Sequence, residues 1–168
     1  AVTAFSGDGY RYYSGHTEIV GAFPTLDFSA MTRMRDTFYN CQNITSYPAM
    51  DFSSVTGDEG LFWTFYRNYA LVTVGDITIS AACTGLSGLF NGGNTAMTSL
   101  PDISPTSQVW YWGRFMDGCS NVTSIPAVYD FSGATLLHDA FANSGLTSWS
   151  ASHTFSNAAT SFSQAWKG

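Results

Sequence analysis

Apolar and polar positions recur along this chain with a period near 25 residues, and three separate patterns keep that period in step. The first is apolar-Thr-Ser-apolar-Pro. It stands at Ile44-Thr45-Ser46-Tyr47-Pro48, Met97-Thr98-Ser99-Leu100-Pro101 and Val122-Thr123-Ser124-Ile125-Pro126. Weaker copies are Val20-Gly21-Ala22-Phe23-Pro24, Val72-Thr73-Val74-Gly75 and Leu146-Thr147-Ser148-Trp149. Alternating apolar positions with β-branched Thr, stopped by Pro, predict a very short strand. The second pattern, Asp/Thr-Phe/Ile-Ser, centres on Phe28, Phe52, Ile79, Ile103, Phe131 and Phe155, at steps of 24, 27, 24, 28 and 24. Its Asp or Thr and its Ser are suited to cap or turn the chain before a helix. The third is an apolar pair four residues apart: Met34 and Phe38, Leu61 and Phe65, Leu86 and Phe90, Tyr111 and Phe115, Leu137 and Phe141, Phe162 and Trp166. An i, i+4 pair shares one helical face, so each copy predicts a short helix or 3-10 segment.

Six copies in one register predict an α/β repeat solenoid of about six turns, each a short parallel strand plus a short helix. A single turn cannot bury its apolar face; stacked turns can, with Phe38, Phe65, Phe90, Phe115, Phe141 and Trp166 as one inner column. The period places the solenoid at residues 20–168 as a single domain. Residues 1–19 do not repeat and are expected to form an N-terminal cap. There Tyr10, Tyr12 and Tyr13 follow a Gly7-Asp8-Gly9 turn and would cover the first apolar turn and blunt the sheet edge, with a partner or glycan contact as the other reading. The last anchor, Trp166, stands two residues from the end of the sequence with no cap after it, which reads as a piece of a longer chain or of a larger assembly.

Composition narrows the partners. The chain is 45% hydrophobic but only 11% charged, so Ser, Thr, Asn and Gly must make most of the contact with water. Net charge is −6, with six cations dispersed along the sequence at Arg11, Arg33, Arg35, Arg67, Arg114 and Lys167. Nucleic acid and anionic membrane both require clustered cations and are disfavoured, and no apolar run is long enough for membrane insertion. The three cysteines, Cys41, Cys83 and Cys119, cannot all pair. Cys41 and Cys119 lie three repeats apart, roughly 14 Å at 4.8 Å per strand, too far for a disulfide. Free, buried thiols are expected.

Phe38-Tyr-Asn-Cys-Gln-Asn-Ile-Thr-Ser46 and Phe115-Met-Asp-Gly-Cys-Ser-Asn-Val-Thr-Ser124 resemble the BspA-type leucine-rich repeat, and the closing Thr160-Ser-Phe-Ser-Gln-Ala-Trp-Lys-Gly168 resembles the variant in marine tailed-phage proteins. The resemblance covers about residues 20–168. It implies a leucine-rich-repeat-like stack in a non-enzymatic, surface-exposed protein, such as a bacterial adhesin or a phage virion, decoration or tail-fibre protein. The sequence departs from the pattern at Gly57-Asp-Glu-Gly60, Gly92-Gly-Asn-Thr95 and Trp110-Tyr-Trp112, and lacks the usual Cys in repeats two, three and five.

Little in the chain suggests chemistry. The three histidines, His16, His138 and His153, belong to no catalytic or phosphate-binding motif. Asp27, Asp51, Asp102 and Asp130 share one repeat position that Thr78 and Thr154 also fill, so backbone hydrogen bonding explains them better than calcium does. Asn43-Ile-Thr45 and Asn121-Val-Thr123 match the glycosylation sequon but fall in the repeat consensus, which favours structural Asn. No metal or cofactor is expected. The residues that the period leaves unexplained are Phe62, Trp63, Tyr66, Tyr69, Trp110 and Trp112. Aromatic side chains beyond core need suit protein interfaces and sugar-stacking faces. The expectation is an extracellular recognition or adhesion protein, on a virion or cell surface, that binds a host protein, a glycan or other subunits. The alternative is a purely architectural subunit that stabilises a particle or fibre.

Overall fold

The computed structural model describes residues 4–157 together with 159 and 165, so Phe162 and Trp166 lie outside the described residues. Eight short strands follow in chain order: β1 (Ala4–Asp8), β2 (Gly21–Ala22), β3 (Asp27–Arg33), β4 (Ile44–Tyr47), β5 (Met50–Phe52), β6 (Thr73–Val74), β7 (Ile77–Ile79) and β8 (Ile103–Ser104). They pair only in parallel, as β1-β3, β2-β4-β6 and β5-β7-β8. The chain is a parallel-strand β-solenoid, with strand pairing through about four turns. The apolar-Thr-Ser-apolar pattern is strand at β4 and β6. The Asp-Phe-Ser pattern, read as a cap or turn, is itself strand at β3 and β5. Its Asp still accepts from the backbone two residues on, Ser29 N–H at 3.0 Å for Asp27 and Ser53 N–H at 2.8 Å for Asp51.

The expected α/β character is corrected: among the described residues there is no helix. The segments carrying the i, i+4 pairs are rungs of consecutive turns, at 9–15, 34–40, 61–67, 86–92, 112–118 and 137–143. In each rung the backbone alternates between two partners. In the second, Thr37 N–H donates to Met34 C=O at 3.1 Å and Tyr39 N–H to Asp36 C=O at 3.1 Å, closing turns within the rung. The intervening Met34, Asp36, Phe38 and Asn40 N–H groups instead donate to Gly60, Phe62, Thr64 and Tyr66 of the next rung, at 2.7–2.9 Å. A helix needs all its N–H groups for its own carbonyls, so a rung that sends every second one to its neighbour cannot be helical. Residues 4–15 join this scheme: β1 pairs with β3, and Gly9, Arg11, Tyr13 and Gly15 donate to Arg33, Arg35, Thr37 and Tyr39.

Four-residue spacing survives because the turns repeat every four residues. Left-handed φ recurs at Arg11 and Gly15, Asp36 and Asn40, Trp63 and Arg67, Gly88 and Gly92, Arg114 and Gly118, Asp139 and Asn143. Two residues before each of these, except before Arg11 where Gly9 stands, is an inward side chain. Met34, Leu61, Leu86, Trp112 and Leu137 make one fully buried column. In the next, the rings of Tyr13, Phe38, Phe65 and Phe90 stack at 5.5 Å between centroids. The expected column breaks at its fourth anchor. The ladder aligns Trp112 and Met116, not Tyr111 and Phe115, with the pair Leu86 and Phe90, so Phe115 is buried but meets Phe90 edge-on at 5.7 Å. A similar slip moves Ile103, which pairs with Ile77 and not Ile79. A two-residue shift keeps the same face inward, so the slip leaves the core pattern intact.

The carbonyls of Tyr13, Phe38, Phe65 and Phe90 accept no ladder bond, and each takes a side-chain donor instead. One column of the following corner supplies it. Cys41 Sγ donates to Tyr13 C=O at 2.9 Å, Asn68 Nδ2 to Phe38 C=O at 3.0 Å, Asn94 Nδ2 to Phe65 C=O at 3.0 Å and Cys119 Sγ to Phe90 C=O at 3.3 Å. Asn therefore stands where repeats two and three lack Cys. The thiols are free and buried, and burial pushes Cys83 up to about 11 and Cys119 up to about 12, which makes them inert donors and packing groups. Asn43 and Asn121 reach back to Thr17 C=O and Thr95 C=O at 2.6 Å in the same structural manner. Replacing Asn68 by Ala leaves the buried Phe38 carbonyl without a donor and should cost about 1–3 kcal/mol in urea unfolding, with Asn68→Cys recovering part of the loss.

Candidate functional site

The rungs form one side of the solenoid, and outward-facing residues on that side run in columns along the stack. The column with left-handed φ at the start of each rung reads Arg11, Asp36, Trp63, Gly88, Arg114 and Asp139. Asp accepts this conformation readily; a bulky tryptophan at φ 52° does not, and costs roughly 1–2 kcal/mol there. Trp63 is held all the same. Its indole crosses the backbone of Gly88, where any Cβ would overlap it, and the Arg35 guanidinium sits 5.5 Å from its ring centroid. Gly92 does the same for its neighbours, since a Cβ there would come within 2.8 Å of Tyr66 Cε2 and Arg67 Cγ. Gly88 and Gly92 of the fourth rung make the floor on which Trp63 and Tyr66 of the third lie.

A cavity of about 280 Å³ opens along these columns, lined by Arg11, Asp36, Tyr39, Trp63, Tyr66, Asn91 and Arg114. Tyr39 and Tyr66 stack at 5.2 Å, and Trp63 meets Tyr66 at 6.2 Å and 42°, giving an aromatic wall. Arg67 lies 5.1 Å over Tyr66. Charge at the cavity is paired across rungs: Arg11 Nε is 3.4 Å from Asp36 Oδ2, and Arg114 Nε is 3.6 Å from Asp139 Oδ2. The Asp36 side chain is only 2% exposed, and its other oxygen, Oδ1, has no hydrogen-bond partner. Burial pushes its carboxyl above the ordinary aspartate range, against the pull of Arg11, Arg35 and Arg33.

The aromatics singled out in the sequence separate into four settings. Trp63 and Tyr66 line the cavity. Phe62 turns the other way, to a cluster with Tyr111 at 5.3 Å, and Trp110 stacks on Tyr111 at 5.4 Å. Tyr69 is exposed on the corner beyond. Trp112 is no surface residue: the one-residue slip puts it wholly in the core, where its Nε1–H donates to Val109 C=O at 3.0 Å and its ring lies 4.7 Å from Phe131. At the start of the stack, Tyr13 covers Phe38, while Tyr12 is exposed and Tyr10 is exposed beneath Arg11 and Arg33. Sequence reading missed Arg11, Asp36, Tyr39, Asn91 and Arg114. A polar residue repeated at one rung position was the available signal, hidden because Arg, Asp, Trp and Gly do not look alike. His138 is half-buried beside Tyr111 at 5.8 Å, and among the described residues no group of three or more His, Cys, Asp or Glu side chains could hold a metal ion.

Two substitutions test this construction. Gly88→Ala, at φ 63°, should lose about 1–2 kcal/mol in urea unfolding and shift tryptophan emission as Trp63 is displaced. Asp36→Asn should raise the melting temperature at pH 7. A carboxyl held above its unfolded value stabilises the fold only while protonated and loses that contribution as pH rises, so the advantage of Asn should shrink as the pH falls toward about 4.

Compared with protein-family models, curated proteins and solved structures, the chain gives no match, so the geometry of the rung face is the ground for its function.

Proposed function

We propose that this chain is a non-enzymatic recognition module, displayed on a virion or cell surface, that uses the rung side of its solenoid to bind a partner. The observation that carries this reading is the cavity walled by Tyr39, Trp63 and Tyr66 and bounded by Arg11 and Arg114. Aromatic and arginine side chains dominate binding energy at recognition surfaces because they bring large area and directed donors at small entropic cost. Here they stand on a rigid ladder and not on mobile loops, so little is lost in ordering them. The strained Trp63 backbone, retained where neighbouring rungs have Gly or Asp, fits a residue kept for contact and not for packing. The resemblance to BspA-type repeats agrees with a surface protein of adhesin, decoration or tail-fibre kind, partnered by host protein, glycan or other subunits.

The finer architecture belongs to the same proposal. The 25-residue period counts six coils, and the ladder bond from Phe141 N–H to Ala165 C=O at 3.0 Å supports continuation past the last paired strand.

The test is retention of envelope fractions on immobilised chain, compared with a Trp63→Ala/Arg114→Glu double variant. Retention should fall at least tenfold in the variant while its circular dichroism and melting temperature stay close to those of the parent. Equal retention by both proteins would remove the rung face from the account.

A further inference from the structure

We infer that the cavity on the rung face binds a neutral saccharide, with sugar rings against Trp63 and Tyr66 and a hydroxyl donated to Asp36 Oδ1. This rests on the recognition reading above and names the class of ligand.

Three features of the cavity select that class. The first is the wall. Trp63 and Tyr66 meet at 42° and Tyr39 extends them, giving a broad, half-exposed aromatic surface without a deep apolar pocket. An apolar anchor from a peptide needs such a pocket to be desolvated, whereas the C–H face of a pyranose needs only a flat ring beside it.

The second is Asp36 Oδ1. It is a buried acceptor at the cavity with no partner, a costly arrangement unless something donates to it. Asn would fit the same left-handed backbone and remove the buried charge, and the burial of this carboxylate outweighs the pull of its single bond to Arg11, so keeping it is a net stability cost. A ligand hydroxyl supplies the missing donor, and a carboxylate accepts it more strongly than an amide would.

The third is charge. Arg11 and Arg114 already face Asp36 and Asp139, and Arg35 is bonded to Glu59, so the guanidinium groups present directed N–H donors without a net positive field. With a chain net charge of −6, a polyanion would be repelled. A neutral, hydroxyl-rich molecule can use these donors and acceptors in alternation. From Arg11 to Arg114 the column crosses four rung spacings, roughly 19 Å at 4.8 Å each, which suits an oligosaccharide lying along the stack better than a single sugar.

The experiment is a titration of the full chain with maltohexaose, cellohexaose and mannohexaose, followed by tryptophan emission and calorimetry. At least one should bind saturably at millimolar concentration or below. Trp63→Ala should weaken it tenfold or more. Asp36→Asn should weaken it severalfold while melting higher than the parent, a combination that damage to the fold cannot produce. Absence of saturable binding by all three sugars, or unchanged binding by Trp63→Ala, would overturn the assignment. Envelope fractions separate the two levels of the proposal. Retention that survives protease but not periodate supports the saccharide. Retention lost to protease and indifferent to periodate overturns it while leaving recognition by the rung face standing, and no retention at all removes both.

Discussion

A stack of turns without helices must find a partner outside each turn for half of its buried backbone groups, and that requirement shapes the rest of this molecule. Every second N–H of a rung closes a turn at home, and the others reach the carbonyls of the next rung. Carbonyls at the ring anchors that accept no ladder bond meet a third set of donors from the corner column of Cys and Asn. No rung is complete alone. Stability is therefore held between neighbours, as in other solenoids, and a lost donor costs more than a lost contact because the abandoned group is buried.

The same ladder explains where strain accumulates. Left-handed φ every fourth residue is what lets the turns repeat, and Gly, Asn or Asp fills most of those places at little cost. Trp63, Arg67, Arg11 and Arg114 are the exceptions, and they are the residues that gather on the exposed rung face. Side chains there project from a backbone whose direction is set by bonds on both sides. Such a surface is preorganised, which suits the proposed recognition role. It also accounts for the trough itself, since Gly88 and Gly92 create room under Trp63 and Tyr66 that any other residue would fill.

Stacking also reorganises charge. Arg11, Arg35, Arg67 and Arg114 come from four different rungs, and Arg33 stands one residue before one of them, so cations that look dispersed along the chain lie on one side of the solenoid. Carboxylates from neighbouring rungs answer them, Asp36 to Arg11 and Asp139 to Arg114. The face is rich in charged groups and close to neutral, a property that neither the composition nor the net charge discloses.

The residue order alone determined the period, the parallel stacking and the inward anchors Phe38, Phe65 and Phe90, because a buried column must recur wherever the chain returns to the core. It also marked Trp63 and Tyr66 as surplus to that core. Helix against turn was not decidable from it: an apolar pair four residues apart satisfies both a 3.6-residue helix and a four-residue turn repeat. The recurring Asp36 with Asn40, Gly88 with Gly92 and Asp139 with Asn143 mattered only once their common left-handed backbone was seen. Tertiary structure decided what depends on register between turns. It slipped the fifth rung by one residue and buried Trp112, and it brought Arg11, Asp36, Asn91 and Arg114 to one cavity from positions up to 103 residues apart. Neighbours across a stack are set by inter-turn hydrogen bonds, and those bonds leave no mark in local sequence.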